Sequence, residues 1–173
     1  MTIHTEHLTL VPLTLDFLDS TAVYAVGGGH IDMMVYFPKD TKEELAAYLQ
    51  EAAAEWDKET PDFLDFAVLC DGEHIGQVTL YFEDNGTCGE LGWIIRREYR
   101  GKGYAAEAAE GLMRYCRQHR GLHRFIAQCD SENSASRRVI EKLGMTYVET
   151  HGGRKNRSSE EERLEQRYER YFP

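Results

Sequence analysis

The sequence predicts a mixed α+β fold, and three observations carry that prediction. Strand-like and helix-like segments follow one another in the order β-α-α-β-β-β-turn-α-β-α-β. Two tight-turn signals, Asp71-Gly72 and Asp84-Asn85-Gly86, join three consecutive strand-like runs into hairpins. The third run, ending Glu90-Leu91-Gly92-Trp93-Ile94-Ile95, then passes through the glycine-rich Arg100–Ala105 into AAEAAEGLMRYCRQHR, which has helical periodicity. A chain of 173 residues makes one domain, 1–173, with length enough for a full core.

Each element has its own warrant. Residues 3–13 alternate well enough for a strand, and Pro12 places it at a sheet edge or a strand end. Residues 16–26 form a helix, with Phe17, Leu18, Ala22 and Ala25 in partial i, i+3/i+4 spacing, ended by Gly27-Gly28-Gly29. Residues 31–38 then read as a connection. Residues 41–58 are a helix opened by the capping-box sequence Thr41-Lys42-Glu43-Glu44, with Leu45, Tyr48, Leu49, Ala52 and Trp56 on one face. Strands cover 63–70, 74–82 and 88–95, and Gly92 inside the last marks a bulge or a close backbone approach. The helix starting at about Gly103 carries a stripe of Ala105, Ala108, Ala109, Leu112, Met113 and Cys116 and stops at Gly121. Strand 123–129 follows, and Asp130-Ser131-Glu132-Asn133 caps a helix over 134–143 that Gly144 stops. Another strand begins at Met145. Residues 151–163 read as a polar, solvated and mobile loop in preference to a recognition element. Residues 164–172 complete the sheet, with a short helix over 159–166 as the competing reading.

Composition excludes several function classes. Charged residues are 29% and hydrophobic ones 42%, as in ordinary globular domains. The net charge of −10 argues against nucleic acid as a partner. No apolar stretch reaches membrane-spanning length and no leader-like run opens the chain, so the expectation is a cytoplasmic protein with no membrane partner. Cys70, Cys88, Cys116 and Cys129 form no C-x-x-C pair, and His119 and His123 are separated by Gly121, so no metal site is expected.

The hexapeptide Arg100-Gly101-Lys102-Gly103-Tyr104-Ala105 is the chemical centre. Two glycines in three residues allow positive φ and close approach of backbone N–H groups to a ligand. The following helix adds its unpaired N–H groups and positive dipole end, so the turn suits an anion such as a pyrophosphate. It is not a P-loop, because Lys102 is followed by Gly103 and Tyr104, with no hydroxyl for magnesium. Nor is it a well-placed Rossmann turn, since several strands precede it.

The hexapeptide resembles motif A of the GNAT acyl-CoA N-acyltransferases, R/Q-x-x-G-x-G/A, at Arg100, Gly103 and Ala105. About thirty residues on, the run from Asn133 to Met145 is similar to motif B, N-x-x-[SA]-x-x-[VLF]-x-E-K-x-G-[FM]. The wording of this run and of residues 3–13 looks like the ribosomal-protein-alanine (Rim-type) branch, and the resemblance spans about residues 3–150. It implies a central, mostly antiparallel sheet of six to seven strands with a splayed central pair, flanked by four helices. It also implies acetyl-CoA as acyl donor, held by Arg100, Gly101, Lys102, Gly103, Tyr104, Ala105 and Asn133, with the pantetheine arm along Trp93, Ile94 and Ile95. Met34, Tyr36 and Phe37 would line an acceptor pocket, the alternative being that they belong to an ordinary connection. Glu90 is the expected base, and strand N–H groups near Ile94 would meet the oxyanion. Where many members carry a thiolate-protonating tyrosine, this chain has Ile140, which leaves Ser136 as the candidate donor.

Acyl transfer needs a neutral amine. An α-amine with pKa near 8 is partly neutral at physiological pH, whereas a lysine-like amine is neutral only about one time in a thousand, a cost of ~4 kcal/mol. The base therefore matters most for side-chain or small-molecule amines. The expected acceptor is a primary amine, either a protein N-terminus or a polyamine, amino acid or aminoglycoside. The rivals are a non-catalytic CoA-binding module and a nucleic-acid binder using Arg154, Lys155 and Arg157. A monomer and a homodimer are both compatible with the sequence.

Overall fold

The computed structural model describes residues 1–27 and 31–173, so Gly28 and Gly29, expected at the end of the first helix, lie outside the described residues. The strands are β1 (Ile3–His4), β2 (Leu8–Pro12), β3 (Phe63–Cys70), β4 (Glu73–Glu83), β5 (Cys88–Ile95), β6 (Arg124–Asp130), β7 (Thr146–Lys155) and β8 (Glu162–Tyr171). The helices are α1 (Leu18–Ala25), α2 (Lys42–Glu55), α3 (Tyr104–Arg120) and α4 (Ser134–Lys142). The strands form one sheet in the order β1-β2-β3-β4-β5-β6-β8-β7. Every neighbouring pair is antiparallel except β5 with β6.

The eighth strand appears because residues 3–13 are not one strand. The Thr5 N–H donates to the Leu8 carbonyl at 2.9 Å and the Thr5 hydroxyl accepts from the Leu8 N–H at 3.1 Å, turning the segment back on itself so that Ile3 faces Leu10. Residues 151–163 are corrected as well. β7 runs to Lys155 and β8 starts at Glu162, so most of the expected loop is a two-stranded arm and the competing helix over 159–166 is absent.

Local chemistry explains the remaining elements. Asp71 (φ 50°) and Gly72 (φ 81°) make the positive-φ pair that a two-residue hairpin needs. Thr41 accepts from the Glu44 N–H at 3.1 Å, while the Glu44 carboxylate reaches back to the Asp40 N–H, one residue before the usual partner. Gly92 lies in an unbroken β4–β5 register rather than a bulge; the irregularity falls between Val68 and Leu69. Gly76 is the glycine the sheet requires, since a Cβ there would stand 2.1 Å from the Ile94 carbonyl oxygen.

The sheet has two differently filled faces. Phe66, Val78, Leu80 and Leu91 pack with Ala108, Leu112 and Met113 of α3 and Ile140 of α4. On the other face Ala67 and Ile94 pack with Tyr24 of α1, with Leu45 and Leu49 of α2, and with Phe37. The alternation along β4 sends Val78 and Leu80 into the first core and leaves Gln77, Thr79 and Tyr81 on the second face. That second, partly polar face is the floor of the site. Among the described residues no helix is long and apolar enough to cross a membrane.

Candidate active site

β5 and β6 pair only from Cys88 with Arg124 to Leu91 with Ala127; β5 then runs on to Ile95 and β6 to Asp130 without pairing to each other. The Arg96 N–H donates to Ile75 of β4 at 2.8 Å, which fixes the alternation. Residues 94 and 92 therefore point their backbone groups at β4, and Trp93 and Ile95 point theirs into the gap beside β6. Of the strand N–H groups near Ile94 expected to meet an oxyanion, that of Ile94 itself faces Gln77. The N–H groups of Trp93 and Ile95 are the ones the gap can use.

The turn lies at the end of this gap. Gly101 (φ 78°) and Gly103 (φ 87°) both have positive φ, and among the described residues nothing beyond its own chain neighbours lies within 4 Å of where either Cβ would be. Gly103 caps α3 with no side chain hydrogen-bonded to the first-turn N–H groups, so these donors face an open hollow. The Arg100 Nε donates to the Ile95 carbonyl at 2.8 Å and ties the turn to the end of β5. This arrangement fits a pyrophosphate at the turn and an extended arm along β5.

A cavity of about 720 Å³ joins the turn, the gap and the polar floor. Fourteen of the fifteen sequence-selected residues line it: Met34, Tyr36, Phe37, Glu90, Trp93, Ile94, Ile95, Arg100, Gly101, Gly103, Tyr104, Ala105, Asn133 and Ser136. Lys102 does not; its ammonium lies 5.3 Å from the centre of the Tyr99 ring. Phe37 is 2% exposed and edge-on to Tyr48, so it belongs chiefly to the core, while Tyr36 is 58% exposed.

Glu90 is half-buried between Tyr81 of β4 and Ile126 of β6. Burial raises its pKa above the ordinary range, opposed by a hydrogen bond from Gln128 Nε2 at 3.2 Å. Asn133 accepts from the Ser136 N–H at 3.0 Å, which leaves its amide NH2 as the donor a ligand can use. Ile140 is fully buried in the core, so its position on α4 does not face the cavity, and Ser136 and Val139 do.

Sequence reasoning missed two groups. The first is the floor: Gln77, Thr79, Tyr81 and Gln128 line the cavity, and beneath them fully buried Asp65 accepts from the hydroxyls of Thr79 and Tyr48. Burial lifts Asp65 to about 6. Polar residues at alternate positions 77, 79 and 81, between apolar 78 and 80, were the available signal.

The second is a brace. Buried Asp130 takes Arg163 through two contacts, at 3.0 and 3.1 Å, and also the Asn156 amide at 2.7 Å. Asn156 in turn accepts from Arg154, which bonds the Met33 carbonyl at 2.7 Å and pairs with Glu165. Arg157 donates to the Pro38 carbonyl at 2.8 Å and pairs with Asp40 at 2.9 Å, and its N–H bonds Met34. The tip of the β7–β8 arm thus holds residues 33–40 over the cavity. Arg154 and Arg157, considered above for nucleic acid, are occupied within the fold.

A family model described as the Acetyltransferase (GNAT) domain matches residues 7–146. The chain belongs to the GNAT acetyltransferases. This acetyltransferase is 32% identical over 145 residues to the uncharacterized N-acetyltransferase YnaD of Bacillus subtilis, covering 80% of this chain and 82% of that one. It superimposes with a TM-score of 0.85 on the acetyltransferase of Salmonella typhimurium that modifies the N-terminal serine of ribosomal protein L7/L12, at 14% identity and full coverage of both chains. With a TM-score of 0.80 it also matches the microcin C7 self-immunity acetyltransferase MccE, solved with acetyl-CoA and AMP, at 14% identity over 96% of this chain and 93% of that one. The GNAT family uses acetyl-CoA, and the acetyltransferase described here is an acyl-CoA-dependent N-acetyltransferase.

Proposed function

We propose that the protein transfers the acetyl group of acetyl-CoA to a primary amine by direct attack within a ternary complex. The observation that carries this reading is the continuity of one cavity from the uncapped α3 turn, along the unpaired edge of β5, to Glu90. The first-turn N–H groups of α3 and the Arg100 side chain hold the pyrophosphate. The thioester supplies an activated acyl carbon. Trp93 and Ile95 N–H groups orient the pantetheine and stabilise the oxyanion. Glu90 takes the proton from the attacking amine, directly or through one water, and its raised pKa suits that role. Ser136, with Asn133 beside it, donates to the departing thiolate.

The acceptor is either a protein N-terminus, as in the Salmonella typhimurium enzyme, or a small amine. The test is calorimetric titration of the wild type and of Gly103→Trp with acetyl-CoA and CoA. Micromolar binding by the wild type, lost in a folded Gly103→Trp, supports the donor site. A folded wild type that binds neither ligand overturns the reading.

A further inference from the structure

The acceptor half of the cavity has a chemistry distinct from the donor half. Its basic lining residues Arg100, Arg138 and Lys142 belong to the turn and to α4, on the donor side. On the acceptor side Arg154 is the basic lining residue among the described residues, and its three guanidinium nitrogens are engaged by Asn156, Glu165 and the Met33 carbonyl. The carboxylates lining the cavity are Asp32 and Glu90. Among the described residues, an anionic group on the acceptor would therefore meet the Glu90 carboxylate, and the guanidinium on that side, Arg154, is already paired with Glu165.

The walls on this side are aromatic. Tyr36 and Tyr81 have ring centres 5.8 Å apart at 37°, and Phe63 backs Tyr81 at 5.9 Å. Burial keeps the Tyr81 phenol neutral well past its ordinary range. Next to them the floor is flat, because position 92 is glycine. A Cβ there would lie in ordinary contact with Tyr81 at 3.7 Å and with Thr79 at 3.8 Å, and in its absence the backbone of Gly92 itself lines the cavity beside the Tyr81 ring. Tyr81 and Glu90 are direct cross-strand partners, which sets the carboxylate beside the ring wall.

From this we infer that the acceptor is an aralkylamine: a primary amine on a short chain that carries an aromatic ring and no anionic group near the nitrogen. The inference rests on the acetyl-transfer reading and narrows it. The incoming ammonium is attracted by Glu90 and by the ring faces, and the aromatic body lies against the Tyr36–Tyr81 pair and over the Gly92 backbone. Transfer forms the N–acetyl bond and breaks the thioester; Glu90 takes one proton from the ammonium to free the amine, and the proton the nitrogen loses after attack is passed through Ser136 to the departing thiolate, which leaves as the CoA thiol.

The experiment first measures acetyl-CoA binding by calorimetry. It then measures CoA thiol release with phenethylamine, phenylalanine, spermidine and trialanine amide. Phenylalanine adds only a carboxylate to the first probe, spermidine replaces the ring with further cations, and trialanine amide presents a peptide N-terminus. The expected result is a kcat/KM for phenethylamine about tenfold or more above the other three. Tyr36→Ala, at an exposed position that does not hold the fold, raises the phenethylamine KM about tenfold and leaves acetyl-CoA binding unchanged, while Tyr36→Phe restores it. Intact acetyl-CoA binding with no turnover of phenethylamine, or with another probe used equally well, overturns this inference alone. No acetyl-CoA binding by the folded protein overturns the acetyl-transfer reading and this one with it.

Discussion

Glu90 and Gly76 show how single residues divide the work between chemistry and frame. If Glu90 is the base proposed above, replacing it with Gln keeps the Gln128 contact and removes the base, so kcat is expected to fall about a hundredfold or more with acetyl-CoA affinity unchanged. Because burial raises the Glu90 pKa, wild-type activity fails on the acid side at a higher pH than a solvent-exposed glutamate would give, and Glu90→Gln abolishes that limb of the pH–rate profile. Gly76→Ala would drive a methyl group into the Ile94 carbonyl and force β4 from β5; urea unfolding is expected to show a loss of about 3 kcal/mol. The place of Glu90 in the cavity was legible because it lies on the apolar strand leading into the glycine turn, in a Glu-x-Gly context that resembles the Rim-type members. Asp65 was not. Within Phe63-Leu64-Asp65-Phe66 it reads as an interruption of an apolar strand, and its partners Thr79 and Tyr48 are 14 and 17 residues away, on other elements.

At the level of elements, the turn and α3 were readable from local sequence alone, since positive-φ glycines, a small-residue stripe and the stop at Gly121 are all short-range signals. The β7–β8 arm was misread for the opposite reason. Its composition is that of a solvated loop, but Arg154 and Arg157 find their partners around Met33 and Pro38, roughly 120 positions earlier in the chain, and no local pattern announces such contacts. The brace gives two separable expectations. Arg157→Ala, removing a half-exposed side chain from residues 38–44, raises the acceptor KM about tenfold while acetyl-CoA binding stays as in the wild type, because the turn and β5 are untouched. Arg154→Ala leaves Glu165 and Asn156 without their partner in a nearly closed site and lowers unfolding stability by about 3 kcal/mol.

For the whole molecule, two buried groups oppose each other in acid. His74 is held neutral by burial and falls from 6.5 to about 4, its ring bonded to the Gly76 carbonyl and the Ser20 hydroxyl. Its contribution is present above pH 6.5 and is lost as pH falls to about 4. Asp65, raised from 3.8 to about 6, costs stability at neutral pH and returns it as pH falls through 6 toward 3.8. Each effect is on the order of 3 kcal/mol, so stability is expected to stay nearly level from about pH 6.5 to 4. Below that it falls, as Glu169, held down at about 2 chiefly by Arg124, takes up its proton. Asp65→Asn should expose the His74 loss, with the urea midpoint already dropping below pH 6.5; a midpoint that stays level in that variant contradicts the account.

The strand order carries a consequence for how the molecule is made. β8 lies between β6 and β7, and among the described residues β7 pairs with no other strand. During synthesis β7 emerges first and must wait, unpaired, until the segment following it threads into the sheet. Residues 33–40, which are pinned by the tip joining these two strands, are therefore among the last parts to settle. A nascent chain arrested before β8 would carry the glycine turn and lack the contacts that hold residues 33–40.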